Sequence, residues 1–306
     1  MSETGILNSH SQILDKQSFY NSIRLVGGAK TPFFSSLNKG GKYEGSPAKG
    51  HEWGYRPVPM RGQENSYAEG SKRANITHWS EVKLCNHLQI FKKTSGITRS
   101  ESKAMSEDGQ VRKINRDQLA NRKQMALDIE FALLSDQAPV KATTKDDVRK
   151  MGGVKHYIPA TAVIDANGDP LSIENHVDEA TRIMSDNGIE GKILIMCGSD
   201  VFKDMQYLLK EMKAISNSET TINNRVTHVT NAWFNNVQLV SNNNLAKNEF
   251  IVYAPNLIKI VLLDSVKNQD CADPMYDLKV TEDIMELTLR SEDPHGAIWV
   301  KNVGRK

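Results

Sequence analysis

The residues that could do chemistry in this chain of 306 residues do not fall into a catalytic pattern. His51-Glu52 begins like a zinc-protease motif, but position 55 holds Tyr instead of the second His that such a site requires. Cys197-Gly198-Ser199-Asp200 lacks the spacing of a serine nucleophile elbow, and Ser199 is better interpreted as a helix cap. Gly152-Gly153 lacks the strand–turn–helix context of a dinucleotide site. The sequence therefore predicts no catalytic residue and no cofactor.

Cysteine and histidine usage gives no metal site either. Cys85, Cys197 and Cys271 are far apart and odd in number, and no CxxC pair exists. The eight histidines are dispersed along the chain. We expect free thiols in a reducing cytoplasm and no bound metal. We also expect no membrane span and no secretory signal, because no long apolar run and no basic, apolar leader is present.

Charge is unevenly placed although the net charge is only +2. Residues 1–125 carry 20 Lys and Arg against 11 Asp and Glu, a balance of +9, whereas residues 126–306 carry 19 against 26, a balance of −7. Such asymmetry can indicate a nucleic-acid surface, or a head-to-tail contact between the front of one molecule and the back of another. No helix-turn-helix, zinc or base-stacking module supports a nucleic-acid regulator.

The element that stands out is a long basic hairpin over about residues 42–99. Its limbs are predicted at 42–60 and 74–100, with a Gly-, Asn- and Ser-rich tip between them. It has few large apolar residues outside His51-Glu52-Trp53 and Ile76-Thr77-His78-Trp79, so it cannot bury enough surface to fold alone. The hairpin therefore needs another surface, and we predict that a neighbouring copy supplies it.

Two tryptophans, Trp53 and Trp79, stand on opposite limbs of this hairpin. They could pair across the strands, contributing about 0.2–1 kcal/mol, or they could anchor the hairpin on a neighbour. We favour the second interpretation. The full set of predicted intersubunit contacts is Trp53, Trp79, Phe91, Lys92, Lys93 and Arg99. Reversal of the three basic charges in this set is predicted to block assembly.

The remaining elements form an α/β body. A long helix is predicted over 102–136, with Leu119, Ala126, Ile129 and Leu133 in one apolar stripe that Leu127, Phe131 and Leu134 widen, and Pro139 ends it. Before the hairpin, Thr31-Pro32-Phe33 starts a short helix with Thr31 as its cap, and Gly40-Gly41 ends it. Further predicted elements are helices at 173–187 and 199–213 and strands at 192–197, 226–229, 237–240, 250–253, 257–263 and 297–300, with an alternating polar and apolar stretch at 277–289.

The order of these elements resembles the major capsid (major head) proteins of tailed bacteriophages, which have an α+β fold of the Hong Kong 97 type. The resemblance rests on Thr31-Pro32-Phe33, His51-Glu52-Trp53, the segment Asn86–Lys93, the helix segment 126–134 with its Asp-Ile-Glu, and strands 193–196 and 257–264. It spans most of residues 31–300, although each motif alone is short.

The resemblance implies a division of the chain into an N-terminal arm with a short helix (1–38), an extended hairpin loop (39–100), a spine helix with a peripheral domain (101–158), an axial domain (159–245) and returning strands that are mainly peripheral (246–306). It implies self-assembly into hexamers and pentamers of an icosahedral head around double-stranded DNA, in the virion, after assembly in the host bacterial cytoplasm. A separate scaffolding protein, a portal and decoration proteins are the partners that it implies.

Two other functions stay open at this stage. One is an encapsulin-like nanocompartment shell with the same fold and protein cargo. The other, from a different class, is an α/β enzyme with a site near Ser199 and Asp200, at the end of strand 193–196. Subunit cross-linking by a Lys–Asn bond is not selected by any motif.

Overall fold

This computed structural model describes residues 6–7, 30–43, 50–57, 69–72, 80–98, 113–144, 146–211, 228–229, 233–234, 237–271 and 278–305. Trp79 and Arg99, most of the predicted arm and most of the predicted hairpin tip lie outside these ranges.

The described strands and helices alternate along the chain. The strands are β1 (Ile6–Leu7), β2 (Asn38–Lys42), β3 (His51–Tyr55), β4 (Val82–Asn86), β5 (Gln89–Thr98), β6 (Val163–Asp165), β7 (Ile193–Cys197), β8 (His228–Val229), β9 (Val237–Ser241), β10 (Phe250–Tyr253), β11 (Ile258–Asp270), β12 (Leu278–Ser291) and β13 (Ala297–Lys301). The α-helices are α1 (Pro32–Ser36), α2 (Lys113–Leu134), α3 (Val154–Tyr157), α4 (Glu179–Asp186) and α5 (Ser199–Glu211). A π-helical turn, Ile173–Asp178, leads into α4, and 3-10 turns cover Ala160–Ala162 and Pro294–Gly296.

Two larger sheets form the body. One has the strand order β1-β5-β12-β11-β2, with long antiparallel strands in the middle and short parallel strands at both edges. The other has the order β6-β13-β10-β7-β9-β8. Its central strands β7 and β10 are buried along their whole length, as expected for apolar strands covered on both faces. The predicted segment 246–306 contributes to both sheets, through β11 and β12 in the first and β10 and β13 in the second.

Helix α2 lies on the five-stranded sheet and contacts β5 and β12. Its buried face carries Met125, Ile129, Leu133 and Leu134. The prediction that Leu119 and Phe131 belong to the apolar stripe is wrong, because they are 49% and 64% exposed. Helix geometry explains the exposure of Phe131. Phe131 lies two residues after the buried Ile129, which is about 200° around the helix axis, so its side chain is on the opposite face.

The C-terminal end of α2 is fixed by a close backbone approach. The helix ends at Leu134, before Pro139, and the Ser135 hydroxyl donates to the carbonyl of Ala132. A Cβ on Gly153 would lie 2.1 Å from the carbonyl oxygen of Ser135, so only glycine fits there. The Gly152-Gly153 pair therefore serves packing of this loop against the helix end.

The predicted hairpin is a separate two-stranded ribbon of β3 and β4, paired in antiparallel register from His51 with Asn86 to Tyr55 with Val82. The return limb was predicted to continue to residue 100, and that extent is wrong. After a two-residue break, β5 leaves the ribbon and pairs with β12. Strand alternation predicts a half-buried strand, but it does not say which strand will be the partner.

Most of the predicted strands are confirmed within a few residues, and β10 is found with the predicted bounds. The short helix α1 is also present, but two details of its prediction are wrong. Thr31 makes no side-chain cap bond, and Gly40-Gly41 lies within β2. A Cβ on Gly40 would come within 2.8 Å of the Cβ of Lys259, which explains the glycine by close strand packing.

Candidate functional site

The ribbon is joined to the body at its base by Asn86, the last residue of β4, which is fully buried. Its side-chain oxygen accepts from the backbone N–H of Gly152 at 2.7 Å and of His87 at 2.8 Å. Its amide nitrogen donates to the carbonyls of Leu289 at 2.8 Å and Gly152 at 3.1 Å. One amide therefore uses all its hydrogen-bonding capacity, and three of its four bonds tie the ribbon to β12 and to the loop before α3.

Trp53 on β3 is the second attachment of the ribbon base. It is 7% exposed, and its indole N–H donates to the carbonyl of Ser291 at 2.6 Å. Its ring lies 5.6 Å from that of Tyr157, whose hydroxyl donates to the carbonyl of Cys85 at 2.8 Å. This corrects the interpretation that Trp53 anchors the ribbon on a neighbour, because its side chain is already buried in its own chain.

Two histidines lie in this base, in surroundings that favour the uncharged form of each ring. Burial, and secondarily the charge of Arg290, lowers the pKa of His51. Burial, followed by Lys141 and Arg149, lowers the pKa of His87. The His51 ring lies between those of Tyr43 and Trp53, at 5.7 and 5.8 Å. The base is thus a compact aromatic and imidazole cluster.

Away from this base the ribbon leaves the body. Burial along β4 falls steadily from Asn86, through the half-buried Cys85 and Leu84, to the exposed Lys83 and Val82. Beyond Val82, an exposed ion pair of Arg56 with Glu81 joins the two limbs. Residues 69–72, between the limbs, are all exposed. The described part of the ribbon therefore projects from the two larger sheets.

A second junction attaches the N-terminal helix α1 through Glu130 of α2, which is fully buried. Its carboxylate accepts from the backbone N–H groups of Phe33 and Phe34 at 2.8 and 2.7 Å and from the amide of Asn242 at 2.6 Å. Burial raises the pKa of Glu130, and these three donors oppose that effect. Glu130, and not the predicted Thr31, accepts the hydrogen bonds of the free backbone N–H groups in the first turn of α1. Helix α1, helix α2 and the loop after β9 meet at this one carboxylate.

The other predicted contact residues within the described ranges, Phe91, Lys92 and Lys93, also have partners within the chain. Phe91 is 8% exposed and belongs to the main core of its own chain. We therefore do not propose that its side chain contacts another subunit. Lys92 pairs with Glu282 at 3.6 Å, and Lys93 pairs with Asp128 of α2 at 2.7 Å. An intersubunit role for these two lysines stays a prediction.

The serine that was considered for an enzyme site is part of a structural contact. Ser199 begins α5, and its hydroxyl lies 3.3 Å from the carboxylate of Asp200. Asp200 pairs with Arg305 near the C-terminus, and this hydrogen bond lowers the pKa of Asp200. Among the described residues, no group of three potential metal ligands is found. None of the helices in the described ranges is long and apolar enough to cross a membrane.

Comparison with known proteins identifies the family. Residues 4–304 match the family model described as SU10 major capsid protein. The chain belongs to the SU10 major capsid protein family. It is therefore a structural protein of a phage capsid, and the expected resemblance to major capsid proteins is confirmed. No curated protein matches the sequence closely enough to count as a relative.

Solved structures confirm the α+β fold of the Hong Kong 97 type. The capsid of cyanophage A-1(L) matches with a TM-score of 0.69 at 14% identity, over 96% of this chain and 98% of that chain. The capsid of cyanophage P-SCSP1u matches with a TM-score of 0.64 at 11% identity, over 96% and 94%. The SrpI encapsulin complex of Synechococcus elongatus PCC 7942 matches with a TM-score of 0.53 at 10% identity, over 75% and 77%.

Sequence reasoning missed the roles of Asn86 and Glu130 in this major capsid protein. Both lie within segments that carry the resemblance, Asn86–Lys93 and residues 126–134. The signal that could have found Glu130 is a carboxylate in the middle of the apolar face of a helix, one residue after Ile129. Such a residue is rarely buried without partners, and here the partners lie about a hundred residues away in sequence.

Proposed function

We propose that this major capsid protein assembles into the hexamers and pentamers of an icosahedral head that encloses double-stranded DNA. In this proposal the ribbon of β3 and β4 extends over an adjacent copy. The observation that supports it most is the progressive exposure of β4 from Asn86 outwards. An isolated two-stranded ribbon is marginal in water, so it gains stability from a surface that a neighbour provides.

The two larger sheets support the proposed division into domains. The five-stranded sheet with α2 would form the peripheral domain, and the six-stranded sheet with α4 and α5 would form the axial domain around the symmetry centres. The boundaries predicted from sequence, 1–38, 39–100, 101–158, 159–245 and 246–306, remain part of this proposal.

Charge supports contact between unlike parts of neighbouring copies. The front of the chain is basic and the back is acidic, so the ribbon of one copy would meet an acidic surface of the next. Each single contact would be weak. A closed shell then arises because many copies of the same contact act together.

Exposed apolar side chains supply further candidate contacts. Phe131 on α2 is 64% exposed, and Tyr207 on α5 is 62% exposed. Val148, in the loop between α2 and α3, is 71% exposed. Large apolar residues at such exposure are candidates for burial when subunits meet. Phe131 is the strongest candidate of the three, because its position is fixed by the long helix α2 and its side chain is on the outer face of that helix.

The proposed partners follow from the role in a phage head. They are further copies of this chain, a separate scaffolding protein, a portal and decoration proteins. Packaged double-stranded DNA would be held without sequence specificity. Assembly would take place in the host bacterial cytoplasm without a membrane, and the product would be part of the virion.

The charge test uses residues of the ribbon tip. Lys92 and Lys93 pair within the chain, so their reversal would also weaken the subunit. The variant Arg61→Glu, Lys72→Glu, Arg73→Glu instead changes only the region between the two limbs. We expect soluble, folded subunits that fail to form particles, observed by electron microscopy and sedimentation.

The matched control is Lys150→Glu, Lys203→Glu, Lys247→Glu, which changes the net charge equally at exposed positions of the body. We expect the control to form normal shells. Normal shells from the tip variant, or an equal loss from both variants, would contradict the role of the ribbon charges.

The SrpI match supports one second candidate, a nanocompartment shell with protein cargo. The two functions differ in the contents of the shell. Native particles of a phage head contain DNA that resists nuclease, whereas a nanocompartment contains protein. Nuclease treatment of purified native particles, followed by gel analysis of the contents, distinguishes them.

A further inference from the structure

The base of the ribbon contains two imidazole nitrogens for which no hydrogen-bond partner is found among the described residues. They are Nε2 of His51 and Nδ1 of His87, and both atoms are buried. In an uncharged imidazole, only one of the two ring nitrogens carries a proton, so the buried nitrogen can be the one that carries a lone pair. A protonated imidazole would place an N–H there without an acceptor, which is costly in a buried site.

The charges that act on these two rings are all positive. Arg290 on β12 faces His51, where Tyr43 and Trp53 provide the other neighbouring rings. Lys141 and Arg149 face His87 from the loop between α2 and α3, and Arg149 is itself paired with Glu286 at 3.3 Å. The acid on β3, Glu52, is exposed and acts on the pKa of the Cys85 thiol. A proton on either ring would therefore add a partly buried positive charge beside existing cations.

The space around His87 leaves little room for a ring to move away. A Cβ on Gly50 would lie 2.8 Å from both Sγ of Cys85 and Nδ1 of His87, and Gly50 has a φ of +83°. The chain thus enters β3 through a left-handed glycine in direct contact with the imidazole. Movement of the His87 ring towards Gly50 therefore requires displacement of the ribbon entry.

We propose that His51 and His87 form an acid-sensitive hinge that holds the ribbon to the body while both rings are uncharged and releases it when they are protonated. The lowered pKa of both rings agrees with this mechanism in sign. The contribution to stability is complete above the ordinary histidine pKa of about 6.5 and is lost as pH falls below it. Release at the base would change the angle of the whole ribbon, because the ribbon's described attachments to the body lie there.

Hydrogen–deuterium exchange of the intact, unassembled chain tests this hinge. Samples are held at pH 7.5 and 5.5, and exchange rates are corrected for the intrinsic effect of pH. We expect at least a tenfold loss of protection in peptides that cover β3 and β4. Peptides that cover β7 and β10 should be unchanged, because these strands belong to the six-stranded sheet whereas the ribbon is attached to β12 of the other sheet.

Three variants make the test specific. The variant His51→Phe, His87→Gln removes both titrating groups and should lose the pH dependence. Lys141→Gln changes only an exposed cation near His87 and should reduce the loss of protection, so a packing defect in the double variant does not decide the outcome. His295→Gln, a histidine on the turn before β13, is the control and should behave like the parent chain. An unchanged pH profile in the double and Lys141 variants, or opening of β7 and β10 together with the ribbon, would overturn the proposal.

Discussion

At the scale of single residues, two buried polar side chains connect segments that are far apart in sequence. Asn86 joins the ribbon to β12 and to the loop before α3, and Glu130 joins α1 to α2 and to the loop after β9. Buried polar groups cost free energy unless they are fully paired, and both of these are paired. Removal of either side chain is therefore expected to lower the free energy of unfolding by more than the size of the side chain alone would suggest.

Asn86→Ala should destabilise the subunit by about 2–4 kcal/mol, because it leaves backbone groups of Gly152 and Leu289 buried without this partner. Urea denaturation of the unassembled subunit measures the change in free energy of unfolding. Asn243→Ala, at an exposed position in the loop after β9, is the control and should stay within about 0.5 kcal/mol. A cost for Asn86→Ala as small as that of the control would argue against this junction.

Glu130→Ala should cost about 3–5 kcal/mol, because it creates a cavity and removes the acceptor for three donors. Glu130→Gln should cost less, since one amide oxygen can still accept from one of the two backbone N–H groups of α1. The comparison is made by denaturation, with proteolysis near α1 as a local readout. Equal effects of the two substitutions would show that hydrogen bonding to α1 is not the main contribution.

At the scale of elements, helix α2 is held against the five-stranded sheet by polar contacts in its N-terminal half and by apolar contacts after them. Arg122 forms a bidentate pair with the buried Asp283 of β12, at 2.9 and 3.1 Å. Asn121 donates to Ser95 of β5 at 2.8 Å, and Gln118 donates to Thr281 of β12 at 2.8 Å. Met125 and the apolar residues after it continue the contact towards the core.

Arg122→Leu should destabilise the subunit by about 1–3 kcal/mol, since Asp283 stays buried and loses a charge-assisted bidentate partner. The double variant Arg122→Leu, Asp283→Leu should recover part of that loss, because the buried charge is gone. A double-mutant cycle by denaturation measures the coupling. Strictly additive effects would contradict a direct contribution of this pair.

The element scale also shows what could be predicted from the sequence. Apolar runs such as residues 250–253 predicted strands correctly because a buried strand has a local signature. The ribbon pairing of β3 with β4 was predicted, but the move of β5 into another sheet was not, because pairing partners depend on distant residues. Trp53 was placed on a neighbour for the same reason, since its hydrogen-bond partner Ser291 lies 238 positions away.

At the scale of the whole molecule, a subunit with a stable body leaves apolar groups and a ribbon available for contact with other copies. Phe131→Ser should change the free energy of unfolding of the unassembled subunit by less than about 0.5 kcal/mol, because the side chain is 64% exposed. The same change should slow or prevent particle formation, followed by light scattering. Ala132→Ser, at a half-buried position packed against the core, is the contrast and should affect stability instead.

Normal assembly kinetics for Phe131→Ser would remove this side chain from the proposed contacts. The family assignment would be untouched by that result, since it rests on the match over residues 4–304. The proposed contacts between subunits would then depend on the ribbon and on the other exposed apolar side chains, Val148 and Tyr207.

A cryo-electron microscopy map of the assembled shell tests the central claim most directly. The account predicts continuous density for residues 58–79 across the surface of an adjacent copy, while Asn86 and Trp53 stay bound within their own chain. Density that places this segment against the body of its own subunit, with no neighbour beneath it, would contradict the account.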